Sequence, residues 1–186
     1  GRCVAARHFK DNDMNTNYHD FLTSKQLLLK DSGLKESEIN IPDSLYGFQR
    51  DIVRWACKKG KAAIFADCGL GKTPMQLVWS DNIYKATGGD VLILAPLAVS
   101  KQTQREGHKF GIKVNVCREQ EDIKPGINIT NYERLHKFNS DRFAGICLDE
   151  SSILKSLAGK IRTELIEMFQ NTPYRLACTA TPSPND

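Results

Sequence analysis

Residues 66–74 read "ADCGLGKTP". The stretch has the spacing of the phosphate-binding pattern G-x-x-x-x-G-K-[ST], except that Ala66 holds the first position, Asp67 follows it and Pro74 comes directly after Thr73. With either Ala or Gly allowed first, such a pattern arises by chance in roughly one or two per cent of chains this long. Its surroundings make it more specific. The apolar run "AAIFA" (62–66) precedes it and the helical stretch "KTPMQLVWSDNIYKA" follows it, the strand–loop–helix order in which the pattern has chemical meaning. Glycines at 69 and 71 can supply the backbone angles that let N–H groups converge on a phosphate, and the helix N-terminus adds partial positive charge. In that arrangement Lys72 reaches the β- and γ-phosphates and the Thr73 hydroxyl is a ligand for Mg2+. Ala66 is tolerable as the exit of the strand. Pro74 falls in the first helical turn, where a missing N–H has no intrahelical partner to lose. The expectation is a nucleotide loop of Asp67, Cys68, Gly69, Leu70, Gly71, Lys72 and Thr73, with Mg2+ beside it; the loop alone does not separate kinases, switch GTPases and motors.

Outward from the loop, apolar runs alternate with polar or helical stretches. "YGFQRDIVRWACKKG" has helical apolar spacing that stops at Gly60. Downstream, "VLILAP" (91–96), "KVNVC" (113–117), "INIT" (127–130), "GICLD" (145–149) and "YRLACTA" (174–180) read as strands, and "GKIRTELIEMFQN" (159–171) reads as a helix. Strands alternating with helices predict an α/β fold, a three-layer domain around a mostly parallel sheet. Nearly continuous apolar strands suit burial on both faces of that sheet. Residues 1–44 are polar and weakly patterned, apart from a short helical stretch around 21–30, and are expected to form a partly flexible extension; 45–186 form the lobe. Trp55 and Trp79 fall at apolar helical positions and are expected in the core.

A second constraint comes from "GICLDESS" (145–152). An acidic pair at the end of an apolar strand suits a metal-assisted phosphoryl site, with Asp149 holding Mg2+ and Glu150 orienting and deprotonating the attacking water. Taken alone, Asp-Glu is equally an ordinary loop or helix cap.

At 186 residues, 40% hydrophobic and 26% charged, the composition is that of an ordinary globular protein. Its longest apolar run, Val91 to Val99, is too short for a bilayer, which needs about 20 residues, and the N-terminal residues contain no apolar export core. A cytoplasmic protein, bacterial or from a phage, is expected, with no membrane partner. Six cysteines without a C-x-x-C pair fit structural thiols rather than zinc. The net charge of +4 is modest, yet Lys101, Arg105, Lys109 and Lys113 cluster in residues 97–113 against Glu106 alone. Such a cluster suits either phosphate contact or a solvated helix face.

The ordered set of these stretches resembles the first RecA-like lobe of superfamily 2 helicases, near the Swi/Snf-type DNA translocases. "LYGFQRDIVRWA" resembles the Q motif, which implies that Gln49 reads adenine. "ADCGLGKT" resembles motif I, where this branch often writes D-E-x-G-L-G-K-T, so Asp67 is a family habit. "VLILAPLAVSKQTQRE" resembles motif Ia, and "ITNYERL" (129–135) the next strand-end motif. "LDESSILKSLAGK" resembles the D-E-A-H box and its tail, with Lys155 and Lys160 at basic family positions. "LACTATPSPND" resembles motif III through Thr179-Ala180-Thr181. Ser151-Ser152 departs from Ala-His or Ala-Asp and removes a polar contact to motif III. The resemblance implies nucleic-acid phosphate contacts, DNA above all, from Ser100, Lys101, Thr130, Asn131 and Tyr132. It also implies coupling through Thr179 and Thr181, and a second RecA-like lobe as partner, which this sequence does not contain. A lobe without that partner is expected to bind ATP and hydrolyse it poorly. A non-hydrolysing nucleotide-binding scaffold is the alternative.

Overall fold

Each of the six apolar runs forms a strand in the computed structural model, which describes residues 31–67, 69–151 and 159–180. The strands are β1 (Lys61–Phe65), β2 (Asp90–Ala95), β3 (Val114–Val116), β4 (Ile127–Asn131), β5 (Phe143–Leu148) and β6 (Tyr174–Thr179). They make one sheet in the order β1-β6-β5-β2-β4-β3, and every pairing is parallel. Helices α1 (Gly47–Lys59), α2 (Lys72–Thr87), α3 (Ser100–Lys109) and α4 (Gly159–Phe169) accompany it. The fold is the expected α/β architecture. Strand ends shift by one or two residues, as where β5 begins at Phe143 and the register slips between Asp90 and Val91.

Alternation along β2 shows why the sheet needs two covers. Val91, Ile93 and Ala95 enter a core shared with α1 and α2 through Val53, Ala56, Met75 and Trp79. Leu92 and Leu94 enter a second core with Tyr132, Leu135, Phe143, Leu165 and Phe169. All six β2 residues are buried, as a central parallel strand requires. The second cover is incomplete among the described residues: Phe65 is 63% exposed, and Ala63, Leu148, Leu165 and Ala177 border an apolar trough of about 460 Å3. Helix α2 lies close against the sheet because β5 has Gly145 beneath it. A Cβ there would come within 3.2 Å of Ile83 and 3.6 Å of Trp79.

The packed unit takes in residues that the sequence left outside the lobe. Ser32 to Asp186 form one compact unit, and Leu34 is buried in the first core. The amides of Gly33 and Leu34 donate to the carbonyls of Lys58 and Cys57 at 3.0 and 2.9 Å, closing the C-terminal end of α1. Asn40 and Asn82 bond reciprocally, backbone to side chain, at 2.6 and 2.9 Å. The helix expected around 21–30 lies outside the described residues. Cys57, Cys117, Cys147 and Cys178 are free and buried, and burial raises the Cys57 thiol pKa to about 12; Cys3 and Cys68 lie outside the described residues.

The two tryptophans separate. Trp79 is fully buried, whereas Trp55 is 45% exposed. On α1 the buried face is Gln49, Val53, Ala56 and Cys57, so a polar glutamine belongs to the core stripe and Trp55 is rotated off it. Apolar periodicity alone assigned Trp55 to the wrong face. Accordingly Trp79→Ala should cost about 3–5 kcal/mol and Trp55→Ala less than about 1 kcal/mol in urea unfolding monitored by circular dichroism. Equal losses would contradict this packing.

Candidate nucleotide site

The loop after β1 is held from both sides. The Ala66 amide donates to the Thr179 carbonyl at 3.1 Å, extending the β1–β6 ladder by one bond. Gly69 and Gly71 then adopt φ of 88° and 75°, a region open to glycine at little cost. Gly71 is the N-cap of α2, and no side chain caps that end. Gly71 has no side chain to cap the first amides of α2, which leaves an anion-ready terminus at the cleft. Pro74 sits in the first turn, as expected from its position. Lys72 lies across its own loop, its Nζ donating to the carbonyls of Ala66 at 2.8 Å and Asp67 at 3.4 Å.

Gln49 links α1 to this loop. Its Nε2 donates to the Leu70 carbonyl at 2.9 Å, and its Oε1 accepts from the Tyr46 amide at 3.0 Å. The side chain is 4% exposed, and a Cβ on residue 71 would come within 2.3 Å of its Nε2. Both ends of the amide thus serve the protein's own backbone here, and the side chain braces the loop. Each end of the amide keeps one further site, a second N–H and a second lone pair.

Across the cleft stand the two acids. Asp149 follows β5, its amide donating to the Leu94 carbonyl at 2.8 Å. Its Oδ1 accepts from Gln76 Nε2 at 2.7 Å, and Gln76 rises from α2 one turn after Lys72. Burial pushes the Asp149 carboxyl pKa above the ordinary aspartate value. The Glu150 charge adds to the rise, while the Gln76 hydrogen bond and the Lys72 charge oppose it. Glu150 has φ of 52°, unlike any other described non-glycine residue, a conformation that costs of order 1–3 kcal/mol and is held by its surroundings. Its Oε1 accepts from Thr179 Oγ1 at 3.0 Å. The β5–β6 register, Leu148 opposite Ala177, brings the two together.

A cleft of about 680 Å3 unites these groups, bordered by Gly69, Gly71, Lys72, Thr73, Asp149 and Glu150. That volume is within the usual range for small-molecule sites, about 300–1,000 Å3. Its far wall is Pro96 and the α3 side chains Gln102, Glu106 and Lys109. The donor set suits Mg2+, which takes one or two carboxylates with a hydroxyl and borrows its remaining ligands from phosphate and water. Among the described residues no cluster of three or more His, Cys, Asp or Glu could hold a metal by itself.

Of the other expected residues, Asp67 lies on the loop and Leu70 is 43% exposed beside it, while Cys68 and Thr181 lie outside the described residues. Ser100, Thr130 and Asn131 sit at the C-terminal edge of the sheet, buried at 7%, 1% and 6% exposure; Lys101 is exposed next to them. Thr130 Oγ1 and Asn131 Oδ1 have no hydrogen-bond partner among the described residues. Tyr132 requires a correction. It is 2% exposed, and its hydroxyl donates to the Asp149 carbonyl at 2.7 Å, so it is not a surface donor to phosphate. The apolar context explains it: the ring belongs to the second core with Leu135 and Phe138. Sequence reasoning also passed over Gln76. A lone glutamine in "PMQLVW", four residues after Lys72, was its available signal.

No family model and no curated protein matches the chain. Solved structures do. The UvsW helicase of Bacteriophage T4 aligns with a TM-score of 0.65 at 12% identity, covering 74% of this chain and 52% of that one. The SWI2/SNF2 ATPase core of Sulfolobus solfataricus, solved in complex with dsDNA, aligns with a TM-score of 0.63 at 24% identity, covering 80% and 34%. The Hef helicase domain of Pyrococcus furiosus gives a TM-score of 0.63 at 16% identity, covering 76% and 34%. The chain thus spans between a third and about half of these structures and shares the fold of their RecA-like domains.

A cation held at Asp149 would compete with a proton there. Because its pKa is raised, Mg2+-dependent nucleotide binding should weaken on acidification at a pH above 3.8, the ordinary value. The same shift means the folded state holds this proton more tightly than the unfolded chain, so its contribution to stability falls as pH climbs through that window. Gln76→Leu removes a hydrogen bond that lowers the pKa and should move the midpoint to higher pH. Titrating a fluorescent ATP analogue with and without Mg2+ across pH checks both; an unmoved midpoint in Gln76→Leu would refute the role given to that hydrogen bond.

Proposed function

We propose that this chain is the ATP-binding motor lobe of a nucleic-acid translocase or helicase. The observation that carries the reading is the convergence of Lys72, Thr73, Asp149 and Glu150 on one cleft, with Glu150 bonded to Thr179 of the neighbouring strand. When bound, Mg2+ would supply charge neutralisation to the β- and γ-phosphates of ATP. The loop amides around Gly69 and Gly71, and the N-terminus of α2, hold phosphate. Lys72 exchanges its loop carbonyls for phosphate oxygens, a swap of partners that leaves its ammonium satisfied in both states. Thr73 and Asp149 hold the cation, Asp149 oriented by Gln76. Glu150 orients the attacking water and accepts its proton, and Thr179 fixes the carboxylate that does so.

Movement requires a second site that senses nucleic acid. Ser100 and Lys101 open α3, and Thr130 and Asn131 end β4, at the same sheet edge as the cleft, where open parallel sheets bind ligands; Lys101 is the exposed member of the set. Contacts from such groups to phosphate carry no sequence information, as a translocase needs. DNA is the favoured polymer: the Sulfolobus neighbour was solved on dsDNA. A second RecA-like lobe would close the cleft and supply the arginine that stabilises the transferring phosphoryl group, worth about 10³–10⁵ in rate in related systems. Residues 45–186 are the lobe proper, joined by the packed segment from Ser32. No helix among the described residues is long and apolar enough to cross a membrane, and we assign the protein to the cytoplasm.

Lys72→Ala should abolish binding of a fluorescent ATP analogue by the chain, and Glu150→Gln should leave it intact. In a protein that includes the second lobe, Glu150→Gln should lower ATP turnover by about 10²–10⁴. Absence of ATP binding to the wild-type chain would overturn the reading. ATP binding without turnover in the two-lobed protein would favour the non-hydrolysing scaffold.

A further inference from the structure

Tyr132 occupies a junction between the two halves of the proposed function. Strand β4 ends at Asn131, beside Ala95 of β2. Its last two residues are buried yet leave Thr130 Oγ1 and Asn131 Oδ1 without hydrogen-bond partners among the described residues, a cost that an incoming ligand would relieve. One residue later the chain turns inward. The Tyr132 ring packs in the second core, and its hydroxyl donates to the Asp149 carbonyl at 2.7 Å. That carbonyl belongs to the peptide joining Asp149 to Glu150, so the phenol holds the plane from which the left-handed Glu150 departs.

We propose that Tyr132 is a positioning residue, transmitting occupation of the β4 end by a nucleic-acid strand to the Asp149–Glu150 peptide, which sets the Asp149 side chain that would hold the cation as well as Glu150. The inference rests on the functional reading above. The neighbouring bonds are consistent with it: Asp149 is held through its amide by Leu94 and through Oδ1 by Gln76, and Glu150 through Oε1 by Thr179. The Tyr132 hydroxyl alone among these starts from the residue next to the strand-end pair. A shift at Asn131 on binding a strand moves the phenol, and the phenol moves the peptide.

The experiment measures the affinity of a fluorescent ATP analogue with Mg2+ in the presence and absence of a saturating 20-nucleotide DNA strand. Wild-type chain should show a coupling factor of at least about fivefold, the lower end of ordinary two-site coupling. Tyr132→Phe, which keeps the ring, should bring that factor within about twofold of one while each ligand alone binds as before. Leu135→Ala, in the same core, should lower stability but retain the coupling, separating positioning from packing. If both ligands bind without coupling in the wild type, or the coupling survives in Tyr132→Phe, the role of Tyr132 is overturned and the functional reading stands. If the wild type binds no ATP, both fall.

Discussion

Parallel alignment of all six strands is the constraint on which the rest depends. It sends every strand's C-terminal end to one edge, so the chain must cross back over the sheet after each strand and can leave chemistry only in the loops at that edge. The glycine loop after β1, the acids after β5, Thr179 at the end of β6 and the Thr130–Asn131 pair of β4 therefore share an edge although more than a hundred residues separate the first from the last. Adjacent strands supply the finer placement. β6 lies between β1 and β5, so it bonds to the loop through the Thr179 carbonyl and to Glu150 through the Thr179 hydroxyl. A single residue thereby touches both sides of the cleft.

Part of the lobe's buried polar set, Gln49, Gln76, Asp149 and Thr179, lies around the cleft. Asp149 is buried at a cost that its partners partly offset, and Gln76 reaches it from the helix that begins with Lys72. Gln49 and Lys72 spend their donors on loop carbonyls. These bonds hold the loop in place. Glu150 retains its left-handed backbone because strand, hydroxyl and carbonyl contacts on each side over-determine it.

Much of this was legible in the chain before folding, and the reason is periodicity. Apolar runs of strand length, separated by polar or helical stretches, specify a parallel sheet because that arrangement buries both faces. The glycine loop was legible because backbone geometry at Gly69 and Gly71, and the lysine and threonine after them, are local. Trp55 and Tyr132 were misread for one shared reason. A residue type indicates what a side chain can do, whereas its direction depends on which face the neighbouring elements cover. Gln49 takes the buried stripe of α1, displacing Trp55, and the second core draws Tyr132 inward.

Local composition specifies the elements, their alternation and the groups on the glycine loop, because these follow from the residues within a few positions. Only the tertiary structure decided which distant groups meet. Strand order placed Thr179 against Glu150, helix packing brought Gln76 to Asp149, and a core tyrosine was tied to the Asp149 carbonyl. Each is a contact across tens of residues that depends on sheet order and burial, and no local pattern encodes either.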